Sequence, residues 1–212
     1  MRTIKPNILL EKSLWEKGFI NVVGVDEAGK GPWAGPVVAA CVLIHFEKQV
    51  VKDVRDSKKM TKIQREKAFA KIVKKSSAFG IGNVSEKEID AVGIQKAVKK
   101  AMKSALKNMK SKFGFDTSYI LVDGSKTMPL RKNNIQRIKK GGLYHYSISA
   151  ASVLAKVTRD KIMINLAKKY PTYGFKEHVG YGTKSHFKAL KKYGVCPIHR
   201  KSFSPIKNML AV

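Results

Sequence analysis

The stretch Val22-Val23-Gly24-Val25-Asp26-Glu27-Ala28-Gly29-Lys30-Gly31-Pro32 carries an apolar run into two adjacent carboxylates and then a glycine-lysine-glycine turn. Val22 to Val25 is β-branched, too short for a helix and bounded by turn residues, so it reads as a buried strand. Asp26 and Glu27 fall where that strand leaves the core. Adjacent strand side chains face opposite ways, but a backbone turn at the exit brings both toward one point, where ligands bind on α/β sheets. That convergence makes a cation site. For an Asp-Glu pair in isolation the alternative is a solvated acidic turn, and the glycine-rich sequel tips the reading toward the site.

Outward from this stretch, Pro36 to Phe46 reads as a second strand, with the intervening Gly and Pro residues reversing the chain. Thr61 and Gln64 form a capping-box pattern ahead of Ile63, Ala68, Phe69 and Ile72, which predicts a helix over 61–75. Ala78 to Val84 follows as a third strand. Ser85 and Glu88 repeat the capping signal, and Ile94, Val98, Met102, Ala105 and Met109 recur at helical spacing, predicting one helix from Ser85 to about Lys112. Tyr119 to Val122 is a short strand terminated by Asp123-Gly124, and Ile135 to Ile138 is another. Ser149 to Tyr170 is a long helical pattern stopped at Pro171, and Ser185 to Lys192 is a last helix. This order predicts an α/β fold, a mixed β-sheet flanked by helices with a helical C-terminal extension. One main domain over 1–212 is expected, with a core over about 20–170 and an extension over about 171–212.

Asp26, Glu27 and Asp123 are three acids at the ends of two apolar strands. If those strands are neighbours, an all-oxygen cluster results, suited to Mg²⁺ or Mn²⁺ rather than zinc. Such an ion orients a water for attack on a phosphodiester. Taken alone, Asp123 before Gly124 reads as a turn-forming Asp, and only its conjunction with Asp26 and Glu27 points to a site.

The chain has 43 Lys and Arg against 15 Asp and Glu, a formal charge of +28, which points to a polyanionic partner. Nucleic acid leads, although a lysine-rich proteome accounts for part of the excess. No apolar stretch approaches a membrane-spanning length, and the basic residues are spread rather than gathered into an amphipathic anchor. Two cysteines, Cys41 and Cys196, build no disulfide framework, and no signal-peptide core is present, so a reducing cytoplasm is expected. Cys41 reads as a small core residue. Cys196 and His199 have clip-like spacing but lack a second ligand pair, so zinc is set aside.

These segments together resemble the ribonuclease HII family. The resemblance rests on Gly24 to Pro32, Asp56-Ser57-Lys58, Val122-Asp123-Gly124, Ser149 to Asp160, Tyr170 to Phe175, Gly180-Tyr181-Gly182-Thr183 and His199 to Phe203, in family order. It implies an RNase H-like fold and a cytoplasmic, monomeric endonuclease. The implied reaction is cutting of RNA-DNA hybrids and of ribonucleotides embedded in duplex DNA, with 3′-hydroxyl and 5′-phosphate ends. By the same resemblance Asp26, Glu27 and Asp123 are the catalytic residues and hold Mg²⁺ or Mn²⁺. Gly29, Lys30 and Gly31 correspond to the family's Gly-Arg-Gly element, which contacts the nucleic acid and senses the ribose 2′-hydroxyl. Lys replaces Arg here, so the fork geometry is lost while the glycines keep close backbone approach. Tyr181 matches the tyrosine packed beside the sugar at the RNA-DNA junction. On the residues alone, Tyr173, Phe175, Tyr181 and Phe187 alternate with cations, and Phe175 and Phe187 read as a small aromatic core. Binding to a replication clamp is not legible.

One departure narrows the expectation. The family's fourth acid follows a Lys-Gly pair before the Ser-rich helix, and here Gly142 occupies that position. Asp160 and His145 are candidates to compensate, against the plainer readings of a helix-surface acid and a polar loop residue. Asp56 is either a cap for the helix that follows or a direct participant, and the cap reading leaves it out of the metal set. Two functions stay open: a hydrolase, or a catalytically weakened protein that binds RNA-DNA or RNA duplexes.

Overall fold

Val22, Val23 and Val25 have no solvent exposure, and a Cβ on Gly24 would collide with the backbone of Ser147 and Ile148, so helix backbone lies directly on this strand. That contact organises the fold. The computed structural model describes residues 4–124 and 134–211. In chain order these form Leu9–Glu16 (α1), Val22–Ala28 (β1), Val37–Leu43 (β2), Lys62–Lys75 (α2), Ala78–Val84 (β3), Glu86–Val92 (α3), Ile94–Phe113 (α4), Tyr119–Asp123 (β4), Ile135–Ile138 (β5), Gly141–Tyr144 (α5), Tyr146–Lys169 (α6), Phe175–His178 (α7), Lys184–Tyr193 (α8) and Ile206–Leu210 (α9).

The strands lie in the order β3-β2-β1-β4-β5. β1 pairs antiparallel with β2, as the Gly-Pro reversal implies, and parallel with β4. Parallel neighbours need a long crossover, which β2, β3 and the helices between them supply. The carboxyl ends of β1 and β4 therefore meet at one edge of the sheet.

Both faces are covered, which is why β2 reads as an unbroken apolar run. Val37, Ala39, Cys41 and Leu43 face the α4 side, whereas Val38, Ala40 and Val42 face α6. Gly80 and Gly82 on β3 leave room for the α4 backbone at Ala101 and Ala105. The first turns of α6 are buried all round, from Tyr146 through Ala155. A separate apolar cluster joins Ala34 and Met163 to Tyr173, Phe175, Leu190, Ile198 and Ile206 of the C-terminal segment. Among the described residues no helix is long and apolar enough to cross a membrane.

Three differences from the sequence expectation stand out. The single helix expected over 85–112 is two helices, because Gly93 takes φ 78°, ending α3 and opening α4. Helix α1 has no strong start signal and was not expected. Helix α6 begins at Tyr146 rather than Ser149, and His145 makes no side-chain cap for it. The cap comes from α1: Ser147 donates its N–H (3.0 Å) and its hydroxyl (2.7 Å) to buried Glu11 Oε1.

Candidate active site

The β1–β4 ladder ends at Val25 opposite Val122, while β1 runs on against β2 as far as Ala28 opposite Val38. Asp26 and Glu27 therefore lie just past the shared ladder, beside the end of β4 that carries Asp123. An open cavity of about 450 Å³ at this edge is lined by all three acids, by Gly29-Lys30-Gly31, by Asp56-Ser57-Lys58, and by Ser152, Lys156 and Tyr181. The three acids and the four substrate-contact candidates expected from sequence share one cavity.

Each acid is held differently. Asp26 is 9% exposed, and its Oδ1 accepts the Glu27 N–H at 2.7 Å. Burial, then the charges of Glu27 and Asp123, push its carboxyl well above the usual range, partly offset by the Glu27 N–H and the Ser152 hydroxyl. Ser152 Oγ is in turn 2.7 Å from Ser57 Oγ, tying helix α6 to the 56–58 segment. Glu27 Oε1 is 2.7 Å from Lys30 Nζ. Burial lowers the affinity of Lys30 for its proton, but the hydrogen bond to Glu27 and the acids' charges outweigh it and raise the Lys30 pKa. Asp123 receives backbone donors, Gly141 N–H to Oδ1 (3.1 Å) and Gly142 N–H to Oδ2 (3.4 Å). Lys140, at φ 59°, makes the left-handed turn that precedes these two amides.

Two buried arginines shape the glycine turn, and neither was anticipated. Arg200 donates to the carbonyls of Gly29 (2.7 Å), Lys30 (3.1 Å) and Gly35 (2.9 Å). In a trans peptide the N–H points opposite the carbonyl, so the amides of Lys30 and Gly31 are turned away from Arg200. Gly29 has φ 95°, and a Cβ there would strike the Arg159 guanidinium. Arg159 itself bonds the carbonyls of Pro36 (2.9 Å), Ala34 (3.1 Å) and Val179 (3.0 Å). Val179 has φ 44°, a costly conformation for a β-branched residue, immediately before the Gly180-Tyr181 turn. The sequence places both in segments that carry the family resemblance, Ser149 to Asp160 and His199 to Phe203, without showing that they are buried or which carbonyls they bond.

Tyr181 is 43% exposed, with Lys156 Nζ 5.8 Å and the Arg159 guanidinium 5.9 Å from its ring centre. Its carbonyl can only accept, so His186 Nδ1, at 2.9 Å, carries the proton. His186 Nε2 then accepts from His199 Nε2 at 3.0 Å, and His199 Nδ1 accepts the Cys196 N–H at 2.9 Å. Both ring nitrogens of His199 are thus committed to this relay. Burial pulls His186 and His199 down to about 4. Tyr173 and Phe175 are buried against these rings, and Phe187 sits 6.5 Å from Trp33, the aromatic core expected beneath the last helix.

The two compensating candidates do not line the cavity. Asp160 is engaged by Lys156 Nζ (2.8 Å) and Arg65 (3.8 Å) on the flank of α6. His145 lies at the α5–α6 junction, where its N–H bonds the Gly141 carbonyl and its buried Nδ1 has no partner among the described residues. Asp56 does line it. Its Oδ1 accepts the Lys58 N–H at 2.9 Å, capping the short turn Ser57–Lys59, while helix α2 is capped instead by Thr61.

Among the described residues no three His, Cys, Asp or Glu side chains stand in a ready-made metal cage. The donor set nevertheless fits a hard divalent cation. Asp26, Glu27 and Asp123 share one cavity with Asp56, and Asp26 is buried with its charge disfavoured by Glu27 and Asp123.

Comparison with known proteins agrees with this geometry. The family described as Ribonuclease HII matches residues 23–206. A ribonuclease HII of Caldicellulosiruptor bescii is 45% identical over 203 residues, covering 96% of this chain and 95% of the relative. The ribonuclease HII of Acholeplasma laidlawii is 44% identical over 205 residues, covering 96% and 97%. Among solved structures, the ribonuclease H2 of Pyrococcus horikoshii superposes with a TM-score of 0.73 at 28% identity, covering 89% of this chain and 96% of that one. The five-stranded mixed sheet with its flanking helices is an RNase H-like fold, and the chain belongs to the ribonuclease HII family of ribonuclease H endonucleases.

Proposed function

We propose that this endonuclease is divalent-metal-dependent, hydrolysing the RNA strand of RNA-DNA hybrids and cutting at ribonucleotides embedded in duplex DNA. The observation that carries the reading is the parallel β1–β4 pair, which supports one site for Asp26, Glu27 and Asp123 beside the 29–31 turn and Tyr181. Asp26, Glu27 and Asp123 would hold Mg²⁺ or Mn²⁺. When bound, the ion supplies a nucleophilic water and offsets charge on the leaving oxygen.

The chain's own residues supply orientation. Asp123 is aimed by the Gly141 and Gly142 amides, and Asp26 by the Glu27 amide and Ser152. With the Gly29 and Lys30 carbonyls tied to Arg200, the Lys30 and Gly31 amides are free to donate to the ribose 2′-hydroxyl and adjoining phosphate. That requirement selects RNA at the cut, since DNA lacks the hydroxyl. The Lys30 ammonium, paired with Glu27, balances an acid in the resting protein instead of reaching for phosphate. Tyr181 offers a flat face at the rim for the sugar where RNA gives way to DNA. Attack of water at phosphorus breaks the P–O3′ bond, so the upstream product ends in a 3′-hydroxyl and the phosphate stays on the downstream 5′ end.

Gly142 in place of an acid favours a second reading, a duplex-binding protein with weakened catalysis. One experiment separates the two: a labelled duplex with a single ribonucleotide is incubated with Mg²⁺ or Mn²⁺ and the product ends are identified. Metal-dependent nicking with 3′-hydroxyl and 5′-phosphate ends is expected. Retained duplex binding without cleavage at any metal concentration would support the binder.

A further inference from the structure

Position 142 is where the resemblance puts a fourth carboxylate, and two acids border the space it leaves. A Cβ built on Gly142 would lie 3.4 Å from Asp123 Oδ2 and 3.6 Å from Asp56 Oδ2. Both oxygens border the volume that a side chain at position 142 would fill. Asp56 comes from a different segment of the chain, and its position is fixed. The neighbouring Ser57 hydroxyl is 2.7 Å from Ser152 Oγ on α6, and Arg65 bonds the carbonyls of Ser57 (3.1 Å) and Met60 (2.6 Å). The cap to Lys58 N–H uses only Oδ1, at 2.9 Å, and Oδ2 is the oxygen that borders position 142.

We propose that Asp56 supplies the fourth carboxylate of the metal site, replacing from the 56–58 segment the acid that the α5 segment lacks. The inference rests on the metal-dependent reading above and extends its ligand set. The physical reason is charge and reach. A hard divalent ion seeks additional oxygen ligands, and Mg²⁺ retains several waters, so Asp56 engages the ion directly or through one of them. Lys58 and Lys156 line the same cavity and moderate the crowding of carboxylates there.

Asp56→Asn separates the two roles, because Asn caps as well as Asp but carries no charge. Mn²⁺ binding to the full chain without nucleic acid is measured by calorimetry, beside the metal-free melting temperature. For Asp56→Asn we expect an unchanged melting temperature and Mn²⁺ affinity lower by about 10- to 100-fold. Adding Gly142→Asp to that variant restores the affinity, and in the Gly142→Asp background the Asp56→Asn change has a much smaller effect. Asp56→Ser, another competent cap, repeats the loss if the Asn variant folds poorly. Equal Mn²⁺ affinity in wild type and the Asn or Ser variant overturns the proposal, as does failure of Gly142→Asp to rescue. If wild type nicks the single-ribonucleotide duplex while the Asp56 variants bind metal normally, only this inference fails. A wild type that neither binds Mn²⁺ nor cuts overturns the metal-dependent reading as well.

Discussion

At Asp26 the needs of folding and of chemistry oppose each other. Burial, Glu27 and Asp123 all disfavour its charge, so between the ordinary value of 3.8 and its raised value the native metal-free carboxyl keeps a proton that the unfolded chain has released. A raised carboxyl pKa in the folded state means that stability falls as pH rises above the ordinary value of 3.8. Asp26→Asn keeps an acceptor for the Glu27 N–H and removes the buried charge. It is expected to abolish cleavage, preserve hybrid binding and raise the metal-free melting temperature at pH 7. Each kcal/mol recovered is worth about 2–4 °C in a chain of this size. Thermal unfolding in chelator checks the stability gain, and a lower melting temperature would contradict it. The pair Asp26-Glu27 was legible in the sequence because two acids ending a strand are conspicuous. Arg159 and Arg200 were not, since nothing local distinguishes an arginine that binds carbonyls in the core from one in solvent.

Among the elements, the α1–α6 junction carries most consequence for the site. Helix α6 begins without a cap of its own and borrows Glu11, more than a hundred residues earlier in the chain. Its first turns abut α5, whose leading amides hold Asp123. Glu11→Ala leaves the Ser147 N–H and hydroxyl unpaired in a buried setting, at a cost of about 1–3 kcal/mol. The expected result is a lower denaturation midpoint together with a higher metal concentration for half-maximal cleavage. Glu11→Gln retains an acceptor and should lose less of both. Unaltered stability in the Ala variant would show that the junction is held by apolar packing alone. Strand identities were readable from their β-branched runs. Helix boundaries were readable only where a capping residue is local, as at Thr61 and Ser85, and failed at α6 because the cap is tertiary.

For the whole molecule, the sheet and the C-terminal segment depend on a relay of neutral histidines. His186 and His199 titrate near 4 in the native state against an ordinary 6.5, because burial disfavours their charged forms. The unfolded chain therefore binds more protons between about pH 6.5 and 4, and stability is lost as pH falls through that window. The relay ends on the Tyr181 carbonyl, so acid is expected to loosen the rim of the substrate cavity along with the fold. His199→Gln should be less stable at pH 7 yet show a flatter stability profile from pH 6.5 to 4, measured by denaturant titration. An equally steep profile would assign the acid response to other groups. The large positive charge suits a phosphate backbone but does not locate a groove for it; the proposed function assigns that place to the cavity beside β1 and β4.

The sequence by itself determined which apolar runs become strands, the acid pair, Asp123 and the ordered motifs that place the chain in its family, because these are local patterns of polarity and turn chemistry. It also exposed the loss at Gly142, a plain substitution. Only the tertiary structure decided what surrounds that loss. Asp56 was legible as a cap because capping is a matter of two residues along the chain. That its second oxygen borders position 142, as an Asp123 oxygen does, follows from how the 56–60 segment docks on α6 through Ser57 and Ser152, a contact between residues 95 apart in sequence. The same holds for Arg200 and the glycine turn, whose geometry comes from a side chain 171 residues away bonding the Gly29 carbonyl. Sequence pattern records what each segment prefers, and packing determines which segments meet.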